Sequence, residues 1–332
     1  MDHEMGLKTN AAQLDGWVPI QVIWEGSRPV VDWCYLGERG FSEPFFEQTV
    51  HDLMGRPFNL LFRHQTPIET LGERYAIQPG LRPAGFIFHM SRCGSTLISQ
   101  MLAALPQTVV VSEAGPIDVI LRAHLRDPDL NDDRQAEWLR WVVGALGQRR
   151  RGDEKHFFIK LDCWDTLALG LIRRVFPDAP WIFVYRNPVE VMVSQLKRRG
   201  AHMVPGVIEP VLFGLDNEAI LRMQPEEYCA RVLAKICEAA LEHHQSGGRL
   251  LNYKQLPGEV RASVLDYFGI ECSASDVEAM SRVARLDAKN PSLHFTDDTE
   301  TKNYSASDLA RRFADELVAP VYERLEAARR AC

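Results

Sequence analysis

Cysteines are few in this sequence, and they are irregularly spaced. Its 332 residues include seven cysteines, and no two of them have the Cys-x-x-Cys spacing. An odd number without paired spacing argues against a disulfide framework and against a zinc knuckle. A reducing, cytoplasmic setting is therefore expected.

Segments for export or membrane insertion are also lacking. The first 14 residues carry charged and amide side chains rather than an apolar core, so no secretory signal is seen. No apolar run approaches the roughly 18 residues that a membrane-spanning helix needs. The sequence thus predicts a cytoplasmic protein without a membrane span.

Basic residues are fewer than acidic residues in this sequence. Lys and Arg together number 38 against 45 Asp and Glu, which gives a net charge of −7. Proteins that coat nucleic acid or anionic lipid are normally basic, so neither is expected as the main partner. An anionic ligand would have to be held by a local site.

Strand, loop and helix alternate from residue 81 onward. Apolar runs without polar alternation, typical of strands buried on both faces of a parallel sheet, occupy 85–89, 108–112, 157–161, 181–185 and, more weakly, 249–253. Helices are predicted between them at 134–147, 165–175, 188–199 and 225–245. The fold class is therefore α/β, with an open, mostly parallel sheet flanked by helices. Ligands in such folds bind at the carboxyl ends of the strands.

The first 80 residues have a different pattern. Two short apolar runs at 17–24 and 29–35 flank turn-forming residues, which predicts a β-hairpin. Ser42 is a candidate N-cap for a helix beginning at Glu43-Pro44. We therefore expect an N-terminal β-containing cap over 1–80 and an α/β domain over 81–332.

A polar hexapeptide, Ser91–Thr96, joins the strand at 85–89 to an apolar helix and is called the first motif below. Gly94 permits tight backbone geometry, so that successive amides can point into one concavity at the start of a helix, where phosphate or sulfate oxygens bind. Arg92 adds a cation. A nucleotide-triphosphatase loop would need a Gly at His89 and a Lys at Ser95, so the first motif predicts a shorter anion cradle.

A second motif, Arg186–Ser194, follows the strand at 181–185. The strand ends at Arg186, and Asn187-Pro188 begin a helix. Ser194 lies eight residues after Arg186 (194 − 186), about two helical turns further on. Arg186 and Ser194 would meet at a second phosphate if this helix packs back beside its strand.

Together the two motifs resemble those of the PAPS-dependent sulfotransferases, in which PAPS is 3′-phosphoadenosine 5′-phosphosulfate. The resemblance covers residues 83–255 and implies a P-loop-like core, PAPS as co-substrate and no metal. It places the 5′-phosphosulfate at Ser91, Arg92, Cys93, Gly94, Ser95 and Thr96, and the 3′-phosphate at Arg186 and Ser194. The family often has Lys in place of Arg92 and Ser in place of Cys93.

Two carboxylates are candidates for the base that removes the acceptor's proton. Glu113 follows the strand at 108–112, a position similar to that of the catalytic Glu in heparan sulfate sulfotransferases. Asp162, in Lys160-Leu-Asp162, stands where cytosolic sulfotransferases have the His of a Lys-x-His segment. Glu113 is preferred and Asp162 stays open. Lys160 and Arg92 are expected to stabilise the transferring group or the leaving phosphate.

The expected function is transfer of a sulfuryl group from PAPS to a hydroxyl or amine of a small-molecule or glycan-like acceptor. Two alternatives stay open: a P-loop kinase that uses ATP, with Asp162 on magnesium, and a nucleotide-binding module without turnover. Acceptor loops are expected among residues 1–80, 118–133 and 200–217, because loops carry specificity in such folds. Homo-oligomer formation also stays open.

Overall fold

The structure is a computed structural model that describes residues 14–26, 28–290, 292–294, 302 and 304–331. The prediction of no secretory signal concerns residues 1–14, and all of these except Leu14 lie outside the described residues. Cys332 also lies outside them. The other six cysteines are free thiols, and all but Cys272 are buried.

The described residues form eight strands, two of them in the predicted hairpin. Their bounds are β1 Trp17–Glu25, β2 Arg28–Tyr35, β3 His64–Pro67, β4 Pro83–His89, β5 Thr108–Ser112, β6 His156–Lys160, β7 Trp181–Tyr185 and β8 Gly248–Asn252.

The α-helices are α1 Phe46–Met54, α2 Pro57–Leu61, α3 Glu69–Ile77, α4 Ser95–Ala103, α5 Gly115–Leu121, α6 Asp132–Leu146, α7 Leu169–Val175, α8 Pro188–Lys197, α9 Asn217–Ile220, α10 Pro225–His243, α11 Leu265–Tyr267, α12 Ala274–Val283, α13 Asp308–Phe313 and α14 Ala319–Ala331. A π-helical segment, Ala314–Val318, joins the last two. The 3₁₀ helices include Cys163–Ala168 and Tyr253–Gln255.

The chain forms two compact units, one containing the chain up to Pro83 with Pro106–Phe158, and the other Ala84–Leu105 with the chain from Ile159 onward. In the first unit, β1, β2 and β3 form an antiparallel sheet, which confirms the hairpin. The indole of Trp33 on β2 donates to the hydroxyl of Thr66 on β3 at 2.9 Å. The domain boundary after residue 80 stays a prediction.

The helix predicted to begin at Glu43-Pro44 begins instead at Phe46, with Phe45 at its N-cap. Gln48 explains the later start, because its side-chain Oε1 accepts from the backbone N–H of Phe45 at 3.2 Å. The carboxylate of Glu43 accepts instead from Thr49 and Arg39. The N-cap assignment to Ser42 was therefore wrong.

A second sheet has the strand order β5-β6-β4-β7-β8, and helices flank it, which confirms the predicted α/β class. In the second unit, β4 runs parallel to β7, with His89 beside Val184. In the same way β7 runs parallel to β8, with Tyr185 beside Asn252. The residues that follow these three strands therefore leave the sheet at one edge.

The core of the second unit consists of these strands and the helices packed on them. Ile182, Phe183 and Val184 of β7 are completely buried, as the unbroken apolar run predicted. Helix α10 starts at Pro225 as predicted and buries a stripe at helical spacing that includes Val232, Ile236 and Ala240. Among the described residues, no helix has both the length and the hydropathy for crossing a membrane.

Packing at the start of β8 leaves no room for a side chain. A Cβ on Gly248 would lie 2.0 Å from Cζ2 of Trp181, which is completely buried. We expect Gly248→Ala to lower the free energy of unfolding by about 1–3 kcal/mol through overpacking. Denaturant unfolding measures this.

The matched control is Gly258→Ala, because a Cβ there would have nothing within 4 Å. We expect that variant to be as stable as the wild type or slightly more stable, since Ala is the better helix former. Equal stabilities of the two variants would contradict the packing argument.

Candidate functional site

The first motif leaves β4 in an unusual backbone conformation. Ser91 and Arg92 have φ angles of +79° and +51°, and Gly94, at the N-cap of α4, has φ +87°. A Cβ on Gly94 would lie 2.7 Å from Leu256 and 3.0 Å from Tyr253, so both the conformation and the space require glycine. Ser95 and Thr96 form the first turn of α4, where backbone N–H groups have no partner within the helix.

Few non-glycine residues among those described have a left-handed backbone conformation, that is, a positive φ angle. Among the residues that the structure describes, the non-glycine residues with positive φ are Ser91, Arg92 and Glu113, which has φ +57°. All three are residues that the sequence analysis assigned to the site. Such conformations cost of order 1–3 kcal/mol each and concentrate at functional sites.

The imidazole of His89, the last residue of β4, fixes the start of the first motif. Its Nδ1 accepts from the backbone N–H of Ser91 at 3.1 Å, so the proton lies on Nε2, which donates to the carbonyl of Leu161 at 3.0 Å. His89 is 5% exposed. This one neutral tautomer links the first motif to the chain that follows β6.

Strand β7 holds the first motif from the other side. The thiol of Cys93 donates to the carbonyl of Val184 at 3.0 Å, and the backbone N–H of Met90 donates to the same oxygen at 3.0 Å. In return, the backbone N–H of Arg186 donates to Sδ of Met90 at 3.2 Å. Burial raises the pKa of the Cys93 thiol to about 12, so this thiol stays protonated and acts as a donor.

Helix α8, which carries the second motif, also bonds directly to the first. The Nε2 of Gln195 donates to the hydroxyl of Ser91 at 2.7 Å, and the Nη2 of Arg92 donates to the carbonyl of Arg198 at 2.6 Å. Gln195 is 1% exposed, and its Oε1 accepts from the backbone N–H of Gly200 at 2.9 Å. The first motif is therefore bonded to the chain that directly follows the second motif.

Arg186 is buried rather than on the surface. Its Nε donates to Glu190 at 2.5 Å, and both side chains of this ion pair are 5% exposed. The guanidinium lies 3.9 Å from the ring centroid of Tyr253, the residue whose ring also borders Gly94. The guanidinium of the second motif and the backbone of the first therefore both lie beside one aromatic ring.

The remainder of the second motif has the predicted form. Helix α8 begins at Pro188, and Asn187 is its N-cap, with a side chain that accepts from the N–H groups of Val189 and Glu190 at 3.0 and 3.3 Å. Ser194 is half-buried two turns further on.

Lys160 and Asp162 differ in their surroundings. Lys160 ends β6 and is completely buried. Asp162 stands at the N-cap of the 3₁₀ helix Cys163–Ala168, and its backbone N–H donates to Oδ2 of Asp165 at 3.2 Å. A carboxylate at a helix N-cap has a structural role of its own.

Glu113 belongs to the first unit, between β5 and α5, and is half-buried. Five residues further on, Asp118 is paired with Arg122 one helical turn away. Within the described residues, no cluster of three His, Cys, Asp or Glu side chains is arranged for a metal ion. Metal independence stays a prediction.

His89, Gln195, Glu190 and Tyr253 were not among the site residues predicted from the sequence. Glu190 had a signal, because it is an acidic residue in the first turn of the predicted helix, four residues after Arg186. Tyr253 also had one, because it is the last residue of the strand predicted at 249–253, and ligands bind at the carboxyl ends of such strands. The sequence gives no comparable signal for the bonds made by His89 and Gln195.

The strand order and the flanking helices define an α/β protein with a P-loop-like core. Residues 83–205 match the model of the sulfotransferase family. The match contains both motifs and confirms the resemblance inferred from them. It supports a transferase of sulfuryl groups in general.

Solved structures of sulfotransferases are also similar. The sulfotransferase domain of the olefin synthase of Synechococcus PCC 7002 has 17% identity and a TM-score of 0.42, over 75% of this chain and 94% of that chain. A sulfotransferase from Alicyclobacillus acidocaldarius has 16% identity and a TM-score of 0.43, over 75% and 96%. A third, from Mycobacterium tuberculosis, has 14% identity and a TM-score of 0.41, over 64% and 75%. The search of curated proteins gave no match.

The buried ion pair of the second motif should matter for stability. In Glu190→Gln the guanidinium of Arg186 loses a buried anionic partner, so we expect unfolding to become easier by about 3 kcal/mol. Urea denaturation at neutral pH measures the loss.

Glu227→Gln is the control, because Glu227 and Arg231 also form a pair four residues apart, at 2.8 Å, but the arginine is 42% exposed. We expect that substitution to cost less than about 0.5 kcal/mol. Similar losses in both variants would mean that burial adds nothing to the Arg186–Glu190 pair.

Proposed function

We propose that this protein transfers a sulfuryl group from PAPS to a hydroxyl or amine of a small-molecule or glycan-like acceptor. The observations that support this most are the bond of the first motif to Gln195, which directly follows the second motif, and the position of Gly94 and Arg186 beside the same ring of Tyr253. Gly94, in the loop that we assign to one anion, and Arg186, which we assign to the other, both lie beside the ring of Tyr253. PAPS carries an anionic group at each end of its ribose, which this arrangement suits.

The first motif would hold the 5′-phosphosulfate. Backbone N–H groups at the start of α4 suit anionic oxygens, because the helix dipole favours negative charge there. Arg92 and Lys160 are the cations assigned to the transferring group and the leaving phosphate. Charge develops on that phosphate as its bond to sulfur breaks, and fixed cations stabilise it.

The second motif would hold the 3′-phosphate through Arg186 and Ser194. Glu190 occupies the Nε side of the guanidinium. A guanidinium is a planar group with forked donors, which is the geometry that phosphate recognition uses. The burial of Arg186 strengthens its attraction for an anion, because solvent screening is weak there.

Glu113 is the base in this proposal. Its left-handed backbone conformation supports a functional role, because a carboxylate needed only for solubility has no reason to hold a strained conformation. Asp162 is the weaker candidate because of its N-cap position. The base accepts the acceptor's proton while the acceptor oxygen or nitrogen bonds to sulfur.

The acceptor would bind along segment 200–217. An open cleft in this segment is lined by residues that include Gly206, Glu209 and Leu215. The segment starts at Gly200, whose N–H is held by the same Gln195 that bonds Ser91. One buried glutamine thus bonds both the donor loop and the first residue of the segment proposed for the acceptor.

Nucleotide binding tests the donor assignment. Adenosine 3′,5′-bisphosphate, the product of transfer, should raise the melting temperature, with about 2.7 kcal/mol of stabilisation at 100 times its Kd. Adenosine 5′-monophosphate should give a smaller shift, and ATP with magnesium none. A larger shift with ATP and magnesium would favour the kinase alternative.

Arg186→Lys removes bidentate binding but keeps the charge, so the shift with adenosine 3′,5′-bisphosphate should shrink by several-fold in binding constant. Arg231→Lys, on an exposed pair, is the matched control and should leave the shift unchanged. A full shift in Arg186→Lys would remove this residue from the 3′ subsite.

The two candidate bases can be separated by turnover. With PAPS and an acceptor chosen from a panel of phenols, alcohols and amino sugars, Glu113→Gln should lower kcat by about 10²–10⁴. The Kd for adenosine 3′,5′-bisphosphate should hardly change. Asp162→Asn should keep most of the turnover. The reverse pattern would make Asp162 the base, and a near-normal rate in both would exclude both carboxylates.

A further inference from the structure

The C-terminal helix α14 places a carboxylate against the ends of two strands of the parallel sheet. Glu326 on this helix accepts from the hydroxyl of Tyr185, the last residue of β7. The same Oε1 accepts from Nδ2 of Asn252, the last residue of β8, at 2.9 Å. Tyr185 and Asn252 are neighbours in the sheet register, and both are buried.

Further contacts fix the orientation of this group. Arg329, one turn further along α14, donates to Glu326 at 2.9 and 3.1 Å. The hydroxyl of Tyr322 accepts a second bond from Nδ2 of Asn252 at 3.1 Å. These bonds, that from Arg329 above all, lower the pKa of Glu326 to about 2, so its carboxylate is ionised at neutral pH.

Tyr185 and Asn252, which donate hydrogen bonds to Glu326, each stand directly before one of the two residues in the Arg186–Tyr253 contact. Tyr185 precedes Arg186, and Asn252 precedes Tyr253, on which the guanidinium of Arg186 lies at 3.9 Å. Asn252 also caps the turn that carries Tyr253, because its Oδ1 accepts from the N–H of Lys254 at 3.0 Å. A shift of either strand end would move Arg186 relative to the ring of Tyr253.

We infer that Glu326 is a positioning residue for the 3′-phosphate subsite: it joins the ends of β7 and β8 and thereby holds Arg186 and Tyr253 in register. The inference rests on the proposed function. It assigns the C-terminal helix a part in nucleotide recognition, although this helix lies outside both motifs.

Whether removal of the Glu326 charge weakens or strengthens nucleotide binding distinguishes a positioning role from a purely electrostatic one. A negative charge near an anion site weakens anion binding by repulsion, so its removal alone would strengthen binding. A positioning role has the opposite consequence, because the loss of alignment weakens the bidentate contact of Arg186. Glu326→Gln keeps the shape of the side chain and removes the charge.

Calorimetric titration of the full chain tests the inference with two ligands, adenosine 3′,5′-bisphosphate and adenosine 5′-monophosphate. Glu326→Gln should lower the affinity for the bisphosphate on the order of tenfold and leave the affinity for the monophosphate almost unchanged. Glu323→Gln, an exposed carboxylate on the same helix, is the matched control and should bind both ligands like the wild type.

Tyr185→Phe serves as a second variant, because it removes one hydrogen bond and retains the buried ring. It should shift the bisphosphate affinity in the same direction by a smaller factor. Tighter bisphosphate binding by Glu326→Gln, unchanged binding, or an equal loss for both nucleotides would overturn the inference. If the wild-type protein does not bind adenosine 3′,5′-bisphosphate more tightly than adenosine 5′-monophosphate, the proposed function is overturned. The inference about Glu326 is then overturned as well.

Discussion

The candidate site depends on one constraint, the attachment of a strained loop to the neighbouring strand and helix. Ser91, Arg92 and Gly94 hold left-handed backbone conformations that a free loop would leave. Bonds from Gln195 to Ser91 and from Cys93 to Val184 hold the loop in this form. Because these partners belong to β7 and α8, the same bonds bring the two motifs together.

Two buried side chains beside this loop, His89 and Gln195, are each hydrogen-bonded in a way that selects one state. His89 has one neutral tautomer, because Nδ1 accepts and Nε2 donates. The amide of Gln195 donates to Ser91 and accepts from Gly200. Buried polar groups without partners would be costly, so these networks favour a single arrangement of the edge. Such preorganisation suits a site that binds a developing charge.

Secondary structure was largely predictable from the chain. The predicted strands 108–112 and 181–185 agree with β5 and β7, because unbroken apolar runs of this length fit a doubly covered sheet. The start of α8 was predictable from Asn187-Pro188, since both residues act locally. The start of α1 was not, because it depends on bonds of Gln48 and Glu43 rather than on the nearest cap-forming residue.

The sequence by itself determined the α/β class, both motifs and the side chains that could bind anions, because these follow from local periodicity and residue chemistry. Tertiary structure alone decided the order β5-β6-β4-β7-β8, the burial of Arg186 against Tyr253 and the contact of Glu326 with Tyr185 and Asn252. These pairings join residues up to 141 positions apart. No local pattern encodes them, because they depend on which strands become neighbours when the chain folds.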